Sequence, residues 1–280
     1  ALKEGIIDEA LYRDQVIEQI ETKFGSDVDA QLVSLQDYIA MDELHSGTKS
    51  IGLIIAEGQI MRGDSDNSPM DKIVGSDTII SAFKQAKEDG VKGVVLRINS
   101  PGGSYIASDL IRRHVELSSK QHNIPVVASM GSMAASGGYF IAMDSDYIFA
   151  EPATITGSIG VFAGSFGLRN FLDHFLGVTF DSYKTAENAT IYSQLDHPLE
   201  RNKQKIKKTV DRIYRDFTDK VVKSRNIPPD KIDQIARGRV WCGDKAKQLG
   251  LIDDIGGVEQ AIDKVKSLQD IPIDEDVNIV

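Results

Sequence analysis

Gly93-Val94-Val95-Leu96-Arg97-Ile98-Asn99-Ser100-Pro101-Gly102-Gly103 is the stretch on which the fold turns. Its near-continuous aliphatic run is what a strand buried on both faces of a covered sheet requires, whereas a half-exposed strand would alternate. The run stops at Ser-Pro-Gly-Gly. There Pro101 fixes φ and removes a donor, and Gly102 and Gly103 open backbone conformations closed to other residues. Upstream, Ser76–Gly90 reads as a helix ended by Gly90, Gly58–Pro69 as an exposed loop, and Ser50–Ala56 as a strand. Downstream come a helix to about Ser119, a strand Pro125–Met130 and a small-residue segment Gly131–Gly138 leading into a helix. Strands Asp146–Ala150 and Ile159–Ala163 follow. Strands alternating with helices at this spacing predict βαβ crossovers and a largely parallel sheet, hence an α/β fold. A long basic helix from about Leu199 to Asn226, three shorter helices and an acidic segment Asp270–Val280, expected to fray, complete the chain.

The 280 residues suffice for one large or two small domains. With 42 acidic against 32 basic residues the net charge is −10, which disfavours nucleic acid as a partner. The basic side chains of the long helix interleave with an apolar stripe, Ile206, Val210, Ile213, Phe217 and Val221, and so read as a solvated face, not a lipid-binding one. Cys242 is the single cysteine and forms no intrachain disulfide. No apolar run is long enough to span a bilayer, and the chain on its own is expected to be soluble.

Internal similarity points to a duplication. Lys3-Glu4-Gly5-Ile6-Ile7-Asp8 resembles Gln248-Leu249-Gly250-Leu251-Ile252-Asp253 at an offset of 245, and the match continues through Gln15/Gln260 and Ile17/Ile262. Residues 1–45 are therefore expected to be the tail of a preceding copy plus a linker, and 46–280 a complete domain. On this expectation the start at Ala1, with neither an initiator Met nor a leader, reflects residues removed from a longer protein.

Two segments at carboxyl ends of predicted strands could carry chemistry, since α/β sheets place their crevice there. Ser100–Gly103 is one. The other, Met133-Ala134-Ala135-Ser136-Gly137-Gly138-Tyr139, nearly reproduces a Gly-x-Ser-x-Gly nucleophile turn with Ala134 in place of the first glycine. Ser136 is either a nucleophile or a helix cap. Acyl transfer needs a nucleophile and backbone N–H donors on the same carbonyl oxygen, which Gly103 and Gly137 could supply from adjacent strands. There is no phosphate loop, no His-Glu-x-x-His and no cysteine cluster, so no metal site and no cofactor is expected.

Those segments, with Thr156-Gly157-Ser158-Ile159-Gly160-Val161, Gly238-Arg239-Val240-Trp241 and Gly250-Leu251-Ile252-Asp253, resemble the signal peptide peptidase A (protease IV) family from about residue 46 to 269. The resemblance implies a Clp/crotonase-like fold of repeated β-β-α units with a C-terminal helical segment. It also implies a serine–lysine endopeptidase of bacterial inner membranes, its catalytic domain facing outward, that degrades cleaved signal peptides. Ser136 would be the nucleophile, and Gly102, Gly103 and Gly137 would bind the oxyanion or substrate. Long members of the family are tandem, so this chain resembles their C-terminal half. An N-terminal half, a membrane anchor outside the chain and homo-oligomerisation are then further expected partners. Clp-type relatives place a histidine after the serine, but Glu151–Gly157 has none. His114, His122 and His174 fall on helix-like segments. Tyr183-Lys184-Thr185-Ala186 resembles the lysine-bearing Tyr-Lys-Ser-Ala segment of short members, but Asn188-Ala189-Thr190 departs from what should follow. The base is thus either Lys184 or a lysine of the N-terminal half. Two other classes stay open: a crotonase-like acyl-CoA enzyme, needing a carboxylate and no serine, and a noncatalytic assembly module with an exposed apolar patch.

Overall fold

A computed structural model describes residues 2–9, 11–24, 47–68, 72–164, 167–186, 189–191, 193, 195 and 200–280. Residues 25–45 of the expected tail, Pro69 of the loop, Asn188 after Lys184 and Leu199 of the long helix lie outside the described residues. The chain divides into two compact units, Ala1–Ser46 and Gly47–Val280.

In the first unit a 3-10 turn, Leu2–Glu4, precedes Gly5, and α1 spans Arg13–Phe24. Gly5 takes a φ of +68° and its N–H donates to the Leu2 carbonyl at 3.2 Å. The Gln15 side chain reaches back to accept the Tyr12 N–H at 2.9 Å, satisfying a donor at the helix start. All three features recur 245 residues on. Gly250 has a φ of +75° and donates to Lys247 O at 3.0 Å. Gln260 accepts the Gly257 N–H at 2.7 Å, and a helix begins at Val258. Ile6, Ile7 and Val16 are exposed, whereas Leu251, Ile252 and Ala261 are core residues.

The second unit runs β1 (Ser50–Glu57), β2 (Gln59–Met61), β3 (Asp66–Asn67), β4 (Lys72–Gly75), α2 (Ser76–Glu88), β5 (Val94–Ser100) and α3 (Tyr105–His122). It continues through β6 (Val126–Ala135), α4 (Gly137–Ala142), β7 (Tyr147–Ala150), β8 (Ile155–Gly157), α5 (Arg169–Leu176) and α6 (Glu200–Arg225). Last come α7 (Ile232–Ile235), β9 (Val240–Cys242), α8 (Gly243–Gln248), β10 (Asp254–Ile255), α9 (Val258–Leu268) and β11 (Asn278–Ile279). The main sheet has the order β10-β7-β6-β5-β1-β11 with every neighbour parallel.

Both faces of β5 are covered. Val94, Leu96 and Ile98 enter a cluster with Phe83 of α2, Ile111 and Val115 of α3, Phe140 of α4, and Phe217 and Val221 of α6. Val95 points the other way, joining Ile51, Val127 and Phe149 beneath Ala261 and Val265 of α9. Each such side chain contributes roughly 1.5–3 kcal/mol on burial, so the aliphatic run is stable only as a central strand.

Four local expectations are corrected. Within the stretch 58–69, read as an exposed loop, β2 pairs in parallel with β4 and Ile60 is fully buried, because the loop between the strands turns back onto the body. The small-residue segment from Gly131 continues β6 to Ala135 through a bulge, and only then gives way to α4. The strand expected at 159–163 is instead Ile155–Gly157, since Gly157 and Ser158 both take positive φ (+78° and +49°) and turn the chain away. Asp270–Val280 does not fray. Ile271 and Val277 are buried in the second cluster, Lys49 pairs with Glu275 at 2.8 Å, and β11 extends the sheet beside β1. Its acidic side chains concealed an apolar anchor.

Candidate active site

β6 hands over to α4 at Ser136, whose φ of +53° and ψ of −116° are strained for a residue with a side chain, at a cost of about 1–3 kcal/mol. Ser136 holds the cap position, yet its hydroxyl makes no capping bond. The backbone is fixed at both ends: the Ser136 N–H donates to Gly157 O and the Phe140 N–H to Ser136 O, each at 2.9 Å. Tyr139 anchors α4 below, fully buried, with its hydroxyl donating to Leu251 O at 2.9 Å; burial raises its pKa and keeps it protonated.

The Ser-Pro-Gly-Gly loop packs directly on this turn. A Cβ on Gly102, whose φ is +101°, would lie 2.6 Å from Gly137 N, 2.8 Å from Ala135 O and 2.9 Å from Ser136 Cβ. Only glycine permits that approach. The Gly102 N–H is engaged by the buried Ser100 hydroxyl at 3.1 Å, so Gly102 shapes the site and donates nothing to a ligand.

Gly103 is placed by Ile60. The Ile60 N–H donates to Gly102 O at 2.9 Å and the Ser104 N–H donates to Ile60 O at 2.8 Å. In this parallel bridge the Gly103 N–H itself points away from Ile60. A Cβ on Gly103 would meet Ile60 O at 2.1 Å, while Gly103 N lies 3.1 Å from where a Gly137 Cβ would stand. Gly137 opens α4, where N–H groups lack an intrahelical acceptor. Two donor-bearing glycines and a strained serine therefore converge. The groups that make the turn are neutral: Ser108, buried behind Gly137, donates to Ser104 O at 3.0 Å, and Thr156 donates to Ala134 O at 2.7 Å.

Lys184 is not brought into this group. It lies exposed in the irregular stretch after α5, and among the described residues no lysine, histidine or carboxylate hydrogen-bonds to the Ser136 hydroxyl. His114 bonds only within α3, to Leu110 O at 3.0 Å, and His122 and His174 are exposed. Ile60, Ser100, Ser108 and Thr156 were missed as supports. Ser100 and Thr156 stood in the quoted motifs without a role, and the signal for Ile60 was the apolar pair Ile60-Met61 between Gly58 and Gly63 in a segment otherwise polar enough to be a loop.

The model of peptidase family S49 matches residues 118–272, more than half of the chain and inclusive of Ser136. The chain belongs to peptidase family S49. Relatives within or near the family cover nearly all of it. Protease 4 of Haemophilus influenzae is 37% identical over 96% of the chain and 44% of its own length. The chloroplastic serine protease SPPA of Arabidopsis thaliana is 34% identical over 100% of the chain and 42% of its own length. The S49 chain thus spans less than half the length of these relatives. Among solved structures, a mutant of the 1510-N membrane-bound stomatin-specific protease superposes with a TM-score of 0.52 at 15% identity, covering 83% of this chain and 96% of that one. The Clp/crotonase-like fold expected from the sequence is the fold this S49 chain has.

Proposed function

We propose that this chain is the nucleophile-bearing part of a serine endopeptidase acting through a serine–lysine pair. The observation that carries the proposal is Ser136 itself: a strained, uncapped serine with Gly102 packed against its Cβ and the Gly103 and Gly137 N–H groups beside it. Ser136 Oγ attacks the peptide carbonyl while a neutral lysine takes its proton, and the carbonyl oxygen, now negative, accepts from Gly103 and Gly137. Collapse expels the amine, which receives that proton, and water then releases the acyl group by the same route. The lysine is Lys184 or one from a preceding copy of the domain.

The substrates proposed are cleaved signal peptides and other membrane-associated peptides, bound extended. The hydrogen bonds repeated at an offset of 245 support residues 1–45 as the end of a preceding tandem copy. Attachment to a bacterial inner membrane, through a segment outside this chain, is part of the proposal; no helix of the described residues is long and apolar enough to cross a membrane. Homo-oligomerisation is supported by α5 and its surroundings, where Phe162, Phe171, Phe175 and Leu176 are exposed.

A serine-directed phosphonate tests the proposal. The intact protein is expected to carry one adduct on Ser136, and Ser136→Ala to abolish both adduct and hydrolysis. Hydrolysis surviving Ser136→Ala would refute it and favour an assembly role; a carboxylate-dependent acyl-CoA reaction without adduct would favour a crotonase-like enzyme. Lys184→Ala decides the base, since activity is lost only if the pair is complete within this chain.

A further inference from the structure

Tyr105, the second residue after Gly103, begins α3, and Phe140, the fourth after Ser136, lies within α4, so the two stand on helices that leave the site from its two sides. Their rings meet edge to face, with centroids 5.6 Å apart and planes at 85°. A third element grips both. Phe140 packs on Phe217 of α6 with centroids 4.7 Å apart, and the Tyr105 hydroxyl donates to Asp216 of α6 at 2.5 Å. Lys220, one turn further along α6, pairs with Asp216 and, at 3.4 Å, with Asp109 of α3. Its ammonium lies 6.0 Å from the Tyr105 ring centre and 5.6 Å from that of Phe140, within cation–π range. Burial raises the Tyr105 pKa and keeps the phenol a donor.

We infer that Tyr105 is a positioning residue for the Gly103 N–H, holding the first turn of α3, through Asp216 and Phe140, in register with the turn that carries Ser136. The inference rests on the peptidase proposal. Ile60 fixes the loop only on its outer side, through Gly102 O and Ser104 N. Ser104 caps α3 with a long bond, 3.4 Å to the Ala107 N–H, which does not tie α3 to α4. Ser108 of α3 packs behind Gly137, and Tyr105 adds a second tie at the very start of α3, its ring to Phe140 of α4 and its hydroxyl to Asp216 of α6. Donors aimed at an oxyanion act on the transition state and not on bound substrate, so a small drift of Gly103 lowers kcat and leaves KM in place.

Tyr105→Phe retains the ring and removes the hydroxyl. In the intact protein it is expected to lower kcat about tenfold with KM changed less than about twofold, and Asp216→Asn, which keeps an acceptor for the phenol, to lose only about threefold. Amide hydrogen exchange over residues 101–106 is expected to quicken in Tyr105→Phe, with β5 unchanged. Wild-type kcat with unchanged exchange at 101–106 would overturn the inference. A lower melting temperature with full kcat would overturn it too, by making Tyr105 merely structural. Failure of the peptidase proposal is separately visible as hydrolysis surviving Ser136→Ala, and the exchange data then decide alone whether Tyr105 holds the loop.

Discussion

Gly102→Ala puts the contact between the loop and the Ser136 turn under direct test. The new methyl would stand 2.6 Å from Gly137 N and 2.8 Å from Ala135 O, short of ordinary contact at 3.4 Å by about 0.6–0.8 Å. Both atoms are backbone, so no rotamer change relieves the clash and one segment must retreat from the other. Overpacking of this kind costs about 1–3 kcal/mol, and a φ of +101° adds about 1–3 kcal/mol of strain. At about 2–4 °C per kcal/mol for a domain of this size, the melting temperature should fall by about 5–20 °C. The same retreat misplaces the donors beside Ser136 by nearly an ångström, for which a loss of about a hundredfold in kcat/KM is expected in the folded fraction. Gly90→Ala is the control. Gly90 also has positive φ, +67°, but nothing lies within 4 Å of its Cβ position. It should lose about 1–2 kcal/mol from backbone strain alone and keep full activity. A Gly102→Ala protein melting with Gly90→Ala and hydrolysing peptide at the wild-type rate would show that the loop and the turn are not packed as described.

Two further outcomes follow from the packing and the charges. Ile271→Ala should destabilise the second unit by about 2–5 kcal/mol in urea unfolding, because Ile271 is buried against the Ile51 and Val95 cluster; a frayed tail would give a change within about 0.5 kcal/mol. Asp216 and Glu116 are held below their ordinary values of 3.8 and 4.5: burial opposes their ionisation, but hydrogen bonds from Lys220 and Tyr105 to the one, and from Arg113 and Lys120 to the other, outweigh it. A depressed carboxyl stabilises above its unfolded pKa and loses that contribution as pH falls through the folded one. Stability should therefore decline on acidification below about pH 4.5, and a double variant Asp216→Asn, Glu116→Gln should decline less steeply; an identical decline would refute the assignment.

The parallel sheet was legible because its centre is made by local pattern. Val94 to Ile98 tolerate no environment but a covered one, and the helices on either side carry their own periodicity and stops. What escaped reading were elements of two or three residues, β2, β8 and β11, whose pairing comes from distant partners. Ile60 is a strand residue because Gly103 and β4 flank it, and Asn278 and Ile279 because β1 offers Ser50 and Ile51. Nothing within such short segments distinguishes them from loop. The likeness at an offset of 245 was visible in the sequence, and the glycine turn and glutamine-capped helix start that the two stretches share needed the hydrogen bonds.

The site divides along the same line. Ser136, Gly103 and Gly137 sit in turns at the ends of adjacent strands, so the small residues that allow those turns also announce them. Gly102 was expected to bind the oxyanion or substrate with Gly103 and Gly137; its N–H donates to Ser100, and its missing side chain lets the loop touch the turn. The proposed base obeys no such local rule. A lysine that accepts the serine proton must lie beside Ser136 and be desolvated there. Lys184 is exposed, in a stretch without regular structure. For it to serve, residues 177–186 must fold over the turn and bury it, which would also draw in the exposed apolar side chains of α5. A lysine from a preceding copy demands only that this copy present one beside Ser136.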